Sequence, residues 1–237
     1  MTTRYAVITF PGSNGEHDAL KAVELGLGAP VEAVWYKETN LDRFDALLLP
    51  GGFSYGDYLR PGAIARFAPI MSAVEKFAAS GGPVLGICNG FQVLTESGLL
   101  PGALLRNQSL EFRCSWLHVR TETTRTVWTS QLGEGEVLHL PIAHGDGRYF
   151  AEPDLVQELE ANNQIVFRYS TATGERDSGV NPNGSVDDIA GISNRTGNVV
   201  GLMPHPERAY DKLIGGDDGL KILSAAMRAG VSAATGS

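Results

Sequence analysis

The chain predicts an α/β fold: an open, mostly parallel sheet with helices on both faces and an antiparallel extension. Three observations lead there. Strand-like and helix-like stretches alternate from Tyr5 to Leu94, the order of βαβ units, whose right-handed crossovers build parallel sheets. Ala46-Leu47-Leu48-Leu49 is apolar at every position, as suits a central strand covered on both faces. From about Phe112 the pattern turns to shorter β-like pieces, which fit antiparallel pairing better than further crossovers.

In order along the chain, Tyr5-Ala6-Val7-Ile8-Thr9-Phe10 is a β-branched and aromatic run that stops at Pro11-Gly12, a strand entering a turn. A helix from about His17 to Leu25 follows, with Ser13 or Asn14 as its cap and Gly26 and Gly28 as its end. Val31 to Trp35 is a second strand. Ala46 to Leu49 is a third, ended by Pro50-Gly51-Gly52. Between Ile64 and Ala79, apolar residues recur near helical spacing (Ile64, Phe67, Ile70, Met71, Val74, Phe77, Ala78), and Gly81-Gly82-Pro83 closes that helix before a strand at Val84. Trp116 to Val119, Val137 to Leu140 and Ile165 to Tyr169 are strands of the extension. Ile189 to Ser193 and Val199 to Met203 make a hairpin-like pair around Arg195-Thr196-Gly197-Asn198. A helix near Gly219 to Ala229 precedes a small-residue tail, read as frayed. With no internal repeat, low-complexity tract or linker, residues 1–237 read as one domain.

Composition narrows the function classes. Hydrophobic residues make up 43% and charged residues 19%, an ordinary globular balance. A formal net charge of −8 leaves no basic footprint for nucleic acid or an anionic membrane. No apolar run approaches a membrane span, and no secretory h-region stands near the start, so the expected compartment is the reducing cytoplasm. Neither a G-x-x-x-x-G-K-[ST] loop nor a G-x-G-x-x-G turn between an early strand and helix is found, and clustered Cys/His metal spacing is missing. Asp187-Asp188 and Asp217-Asp218 read as solvated surface.

Gly86-Ile87-Cys88-Asn89-Gly90 carries the chemistry. It runs from the apolar Val84-Leu85 into Phe91-Gln92-Val93-Leu94, so it reads as strand, sharp turn and helix. That is the arrangement of a nucleophile elbow, with Cys88 in the nucleophile's place and glycines where a strained turn has no room for a β-carbon. At a helix N-terminus, backbone N–H groups and the helix dipole favour negative charge. The Asn89 N–H, directly after the sulfur, can face an oxyanion. The same pentapeptide also suits a buried structural cysteine in a Gly-rich turn. His205 stands out among five histidines, within Pro204-His205-Pro206-Glu207 after an apolar strand. In extended geometry His205 and Glu207 project from one side, so the carboxylate can orient the imidazole. A surface His-Pro-Glu turn fits that spacing too. Gly51-Gly52, after a buried strand, can present N–H groups to an oxyanion or simply supply turn geometry.

Taken together, these segments resemble the triad (class I) glutamine amidotransferases, and within them the small glutaminase subunits of phosphoribosylformylglycinamidine synthase. The resemblance covers nearly the whole chain. It runs through Phe10-Pro11-Gly12-Ser13-Asn14, Leu49-Pro50-Gly51-Gly52-Phe53-Ser54-Tyr55-Gly56-Asp57-Tyr58-Leu59-Arg60 and Gly86-Ile87-Cys88-Asn89-Gly90-Phe91-Gln92. It continues with Asn107, Ser109 and Phe112, then Ile142-Ala143-His144-Gly145-Asp146-Gly147, Asn181-Pro182-Asn183-Gly184-Ser185 and Gly201-Leu202-Met203-Pro204-His205-Pro206-Glu207-Arg208.

The resemblance implies a class I glutamine amidotransferase-like, flavodoxin-like sheet. It implies Cys88 as nucleophile, His205 as base and later acid, and Glu207 as the group that orients it. Gly52 and Asn89 N–H groups would hold the oxyanion, and Gln92, Asn107 and Ser109 would help hold glutamine. It further implies glutamine hydrolysis to glutamate and ammonia in purine biosynthesis. The ammonia would pass to a large synthetase subunit that uses ATP and magnesium, with a small auxiliary subunit completing the complex. This chain would hold no metal or cofactor of its own. Tyr55, Tyr58 and Arg60 read either as interface residues or as local loop packing. Position 15 is Gly where that family commonly carries cysteine, and His144 reads as site edge or structural turn. Two rival readings are a cysteine peptidase or hydrolase with the same elbow, and a non-catalytic subunit that keeps the fold to bind a synthetase.

Overall fold

The computed structural model describes residues 2–177 and 179–227. The end of the expected last helix and the small-residue tail lie outside the described residues. Strand β1, Tyr5–Thr9, is buried at every position and leads through a turn to helix α1, Glu16–Lys21. The cap of α1 is Gly15, not Ser13 or Asn14, and no side chain closes it. Ser13 instead accepts the Phe10 N–H at 3.0 Å, which shapes the turn after β1. From Ala22 to Leu27 the helix widens into π turns and ends at Gly28, whose φ of 63° is the left-handed C-terminal conformation glycine permits. Gly26 does not end it. It lies within the wide turn, where a β-carbon would come 2.7 Å from Leu220.

Strands β2, Val31–Trp35, and β3, Ala46–Leu49, follow, the latter wholly buried as its composition demands. The single helix expected over 64–79 is broken. Ala65–Phe67 is a short 3-10 turn and α2 runs from Pro69 to Ala79. Ala68 is extended (φ −64°, ψ 143°), because a residue before proline is pushed out of the helical region. Strand β4, Val84–Ile87, then leads directly into α3, Asn89–Glu96.

The rest comprises β5 (Ala103–Leu105), β6 (Arg113–Thr121), β7 (Val137–His144), β8 (Arg148–Phe150), α4 (Pro153–Ala161), β9 (Ile165–Ser170), β10 (Ile189–Ser193), β11 (Val199–Leu202) and α5 (Gly219–Leu223). Helix α4 and the small β5–β8 pair go beyond the elements expected from the sequence. Only Leu159 of α4 is buried, so the helix carries little apolar periodicity to read.

Among the described residues, nine strands form one sheet in the order β2-β1-β3-β4-β11-β10-β9-β6-β7. The first five are parallel, and the pairs from β11 to β7 are antiparallel. The crossover through α1 moves from β1 outward to β2, whereas α2 moves from β3 inward to β4. Right-handed connections running in opposite directions put these helices on opposite faces. Helix α3 packs on β3, β4 and β11. Gly86 and Gly201 make room for it, since β-carbons there would lie 2.5 Å from Leu94 and 2.1 Å from Phe91. Strand β7, at the sheet's edge, is covered: the Pro141 carbonyl accepts the His205 N–H at 2.8 Å, and the His139 N–H donates to Asp218 at 2.9 Å.

Asp187 and Asp188 are not free surface carboxylates. Arg168, with a side chain only 5% exposed, pairs with Glu122, Glu160 and Asp187 at 2.7, 2.5 and 2.6 Å. Arg176 pairs with Asp187 and Asp188 at 2.6 and 2.9 Å. The network joins β9 to α4 and to the Asp187-Asp188 turn. Asp218 likewise pairs with Lys221 at 2.9 Å.

Gly90 fixes the height of α3 on the sheet, since a β-carbon there would lie 2.0 Å from the Leu49 carbonyl oxygen, backbone against backbone. Gly90→Ala is therefore expected to destabilise the protein by about 2–3 kcal/mol in denaturant unfolding. A loss below about 0.5 kcal/mol would mean that α3 can lift from β3 freely.

Candidate active site

Cys88 lies between β4 and α3 with φ 51° and ψ −104°, a conformation that costs an L-residue about 1–3 kcal/mol. The surroundings hold it there. Its N–H donates to the Leu202 carbonyl at 2.8 Å, and its own carbonyl accepts the Gln92 N–H at 3.1 Å as the first bond of α3. The thiol is 6% exposed and lies 3.8 Å from the Ala143 carbonyl, to which it donates. Both Cys88 and Cys114 are free.

His205 and Glu207 follow β11. They meet not along an extended strand but across a 3-10 turn, Pro206–Arg208, that His205 opens. Imidazole Nδ1 and carboxylate Oε1 are 2.6 Å apart, and both residues are buried, at 2% and 0% exposure. An ionised carboxylate only accepts, so Nδ1 carries the proton and Nε2 is left for other work. Nε2 has no hydrogen-bond partner among the described residues. Burial works against a charged ring, but the Glu207 carboxylate and the Cys88 sulfur more than offset it. Together they hold the His205 proton to about pH 10. Gly51 is why ring and sulfur can approach: a β-carbon there would lie 2.8 Å from His205 Cε1 and 3.6 Å from the Cys88 β-carbon.

These groups open on a cleft of about 140 Å³, walled also by Gly52, Asp57, Gln92, Phe112, His144 and Asp146. Gly52 has φ 145°, and a β-carbon there would lie 2.7 Å from the Asn14 nitrogen. It faces Ser13 as a non-hydrogen-bonded antiparallel pair, flanked by the Phe53 N–H to Gly12 and Gly15 N–H to Gly51 bonds. That geometry turns its own N–H out of the pairing. Asn89 is the first residue of α3, so its N–H has no partner within the helix. Among the described residues neither expected oxyanion donor, the Gly52 N–H or the Asn89 N–H, donates to another group. Gly15 seats α1 against Gly51, where a β-carbon would come 3.0 Å from the Gly51 oxygen.

The expected substrate residues separate. Gln92 lines the cleft, but its amide is spent on bracing: Nε2 donates to the Asp146 carbonyl at 2.7 Å, and Oε1 accepts from Asn89 at 2.9 Å. Asn107 is fully buried behind the cleft, donating to the Glu111 and His144 carbonyls and accepting the Gly147 N–H. Ser109 is exposed outside it, accepting the Glu111 N–H at 3.4 Å. Both shape the loop beside β7 and do not line the cleft.

His144 is a wall residue, 3% exposed and pulled down to about pKa 4 by burial and by the charge of His205. It is therefore neutral at pH 7. Behind it Asn183 donates to Tyr169 at 3.1 Å and to the Gly147 carbonyl at 2.9 Å. Sequence reasoning gives Asp57 and Asp146 no role, although both lie in segments that carry the family resemblance; two carboxylates far apart in the chain give no sign that they will face one another. Among the described residues no group of three or more His, Cys, Asp or Glu is placed to hold a metal. Of the residues read as interface or local packing, Tyr55 packs edge-on against Tyr36 and Arg60 pairs with Glu96 at 2.5 Å, whereas Tyr58 is 74% exposed; its neighbour Leu59, which that reading did not include, is 91% exposed.

Comparison with known proteins identifies the family. Residues 2–215 match the model of the CobB/CobQ-like glutamine amidotransferase domain. The chain belongs to this glutamine amidotransferase family. The amidotransferase is 64% identical over 231 residues to a curated protein of Thermomicrobium roseum named phosphoribosylformylglycinamidine synthase subunit PurQ, covering 98% of each chain. It is similar to a chain in the structure of PurLQS from Thermotoga maritima, with a TM-score of 0.85 and 43% identity over 97% of this chain and 99% of that one. Another glutamine amidotransferase of Thermotoga maritima shares the fold at 16% identity, with a TM-score of 0.57 over 100% of this chain and 87% of that one. The class I amidotransferase architecture expected from the sequence is thus the observed one.

The raised His205 pKa has a signed consequence. A histidine whose folded value lies above its unfolded value of about 6.5 adds stability that is complete below pH 6.5 and lost as pH climbs through about 10. Glu207→Gln removes the carboxylate that sustains it. The gap in melting temperature between wild type and Glu207→Gln is therefore expected to be widest near pH 6 and to narrow toward pH 10.5. A gap constant across that range would show that the pair is not charged.

Proposed function

We propose that this chain is the glutaminase subunit of a phosphoribosylformylglycinamidine synthase. It hydrolyses glutamine to glutamate and ammonia, and the ammonia serves a separate synthetase subunit that converts formylglycinamide ribonucleotide to formylglycinamidine ribonucleotide. The observation that carries the reading is the buried 2.6 Å His205–Glu207 bond in the same cleft as an elbow cysteine.

The chemistry is acyl transfer. Cys88 Sγ attacks the side-chain amide carbon of glutamine, and the oxyanion that forms is met by the Gly52 and Asn89 N–H groups. Loss of one such donor costs about 3–4 kcal/mol in comparable sites. His205 gives its Nε2 proton to the amide nitrogen and ammonia leaves, with a γ-glutamyl thioester on Cys88. Water then attacks the thioester, His205 takes its proton, the carbon–sulfur bond breaks, and glutamate departs. Glu207 keeps the ring in the tautomer and orientation that both steps need. The proline on each side of His205 supports this by stiffening the segment.

Ammonia released into water is lost to the synthesis, so the subunit works as one part of a complex. The relative in Thermotoga maritima is a PurLQS structure, which supports a large synthetase partner and a small third subunit. In this reading ATP and magnesium belong to the synthetase. The exposed Tyr58 and Leu59 near the cleft supply apolar and aromatic area of the kind interfaces use. Among the described residues no helix is long and apolar enough to cross a membrane. A reactive free thiol is in keeping with the cytoplasm.

Glutamate release is to be measured for wild type, Cys88→Ser and Glu207→Gln, each with and without the synthetase subunit, ATP and formylglycinamide ribonucleotide. Wild-type release is expected to rise sharply with the partner and its substrates, Cys88→Ser to lose at least about 1,000-fold, and Glu207→Gln at least about 100-fold. Equal activity of Cys88→Ser and wild type would sink the thioester route. No release from folded wild type under any condition would leave a non-catalytic binding subunit.

A further inference from the structure

Two carboxylates in the cleft take no part in the chemistry above. Asp57 comes from the loop after β3, and Asp146 from the turn between β7 and β8, so the two reach the same space from separate walls. We infer that Asp57 and Asp146 together receive the α-ammonium group of the glutamine substrate. The inference rests on the glutaminase reading and adds the recognition of the substrate's head group to it.

Both are tied to the first turn of α3. Asn89 Nδ2 donates to Asp57 Oδ1 at 3.4 Å and to Gln92 Oε1 at 2.9 Å, and Gln92 Nε2 donates to the Asp146 carbonyl at 2.7 Å. Asn89 directly follows Cys88, so the frame that aims the sulfur also places the carboxylates. Asn89 Oδ1 is spent on the Ser54 N–H at 3.1 Å, which leaves this side chain no freedom to turn away. The cleft has two ends with different chemistry. One holds Cys88 and the unpartnered, buried Nε2 of His205, where the amide must sit. A substrate anchored there sends its amino-acid head away from the sulfur, along walls that carry these two acids.

Among the described residues the two charges also stand without a paired cation inside the cleft. Neither Asp57 nor Asp146 is in an ion pair among them, whereas Asp187 and Asp188 are neutralised by Arg168 and Arg176, and Asp218 by Lys221. Even Arg208, which lines the cleft, is paired with Asp18 at 2.9 Å. Burial and the nearby Asp146 raise the Asp57 carboxyl to about pKa 6, so its ionisation beside that second acid is opposed. An arriving ammonium group removes that opposition and gains charge-assisted hydrogen bonds. Two uncompensated negative charges answer the single positive centre of glutamine.

The decisive comparison is glutamine against glutaramate, which is glutamine without its α-amino group. Both are assayed with the full chain in complex with its synthetase subunit, as wild type, Asp57→Asn and Asp146→Asn. Wild type is expected to favour glutamine by about 10- to 100-fold in kcat/KM, and each variant to lose most of that preference by losing glutamine rather than gaining glutaramate. Asp57→Asn should melt no lower than wild type at pH 7, because a residue that merely supported the fold would lower it. An undiminished preference in both variants overturns the inference and leaves the glutaminase reading intact. If wild type releases no glutamate at all, that reading fails instead. Calorimetric titration of glutamine and glutaramate into Cys88→Ser then decides the subsite by itself: tighter glutamine binding that Asp57→Asn abolishes supports it, and equal binding of the two compounds refutes it.

Discussion

The contact between Gly90 and the Leu49 carbonyl governs the site. Because a β-carbon at Gly90 would lie 2.0 Å from that oxygen, the first turn of α3 rests on the end of β3 with no side chain between. The turn after Ile87 follows from this seat. Cys88 must reverse the chain within one residue, which puts it at positive φ, and the Leu202 carbonyl and the Gln92 N–H hold it there. Gly51, two residues beyond the same strand end, leaves a gap that His205 fills from the other side. The close approach of three backbones, from β3, β4 and β11, thus does what no single side chain does: it brings a sulfur, an imidazole and free N–H groups into one cleft.

The electrostatics of that cleft are carried by neighbours more than by solvent. His205 and His144 are both buried imidazoles on the cleft wall, yet one is held charged to about pH 10 and the other neutral to about pH 4. The difference is Glu207 at 2.6 Å, together with the sulfur, against burial and a neighbouring positive ring. A buried carboxylate at 0% exposure is costly on its own, and its partner is what makes it tolerable.

Much of this was legible in the sequence because it is written in local patterns. The apolar run at 46–49, the Gly-x-Cys-x-Gly spacing and the prolines around His205 each constrain a few neighbouring residues, and the strands and elbow lie where those patterns put them. Long-range pairing was less legible. Asp187 and Asp188 look like surface until β9 supplies a buried Arg168 nineteen positions before Asp187, a pairing that no window along the chain reveals. Asn107 and Ser109 sit in a loop two residues apart, but one turns inward to tie β7 and the other outward to water. The helix break at Ala68 was local yet masked, because the apolar spacing of Ile64 to Ala79 continues through the proline that interrupts it. Helix α4 buries only Leu159 and so left almost no periodic trace.

Strand β7 lies at the open margin of a nine-stranded sheet, where unpaired backbone groups invite another chain to dock. In this molecule the margin is closed by Pro141, which offers no N–H, by the His205 N–H on its carbonyl, and by Asp218 on the His139 N–H. The segment that supplies the imidazole is therefore also the guard of that margin. Loosening it exposes a ready template for strand addition, so a change that frees the His205 segment from Pro141 uncovers a sheet edge as well as disturbing the cleft.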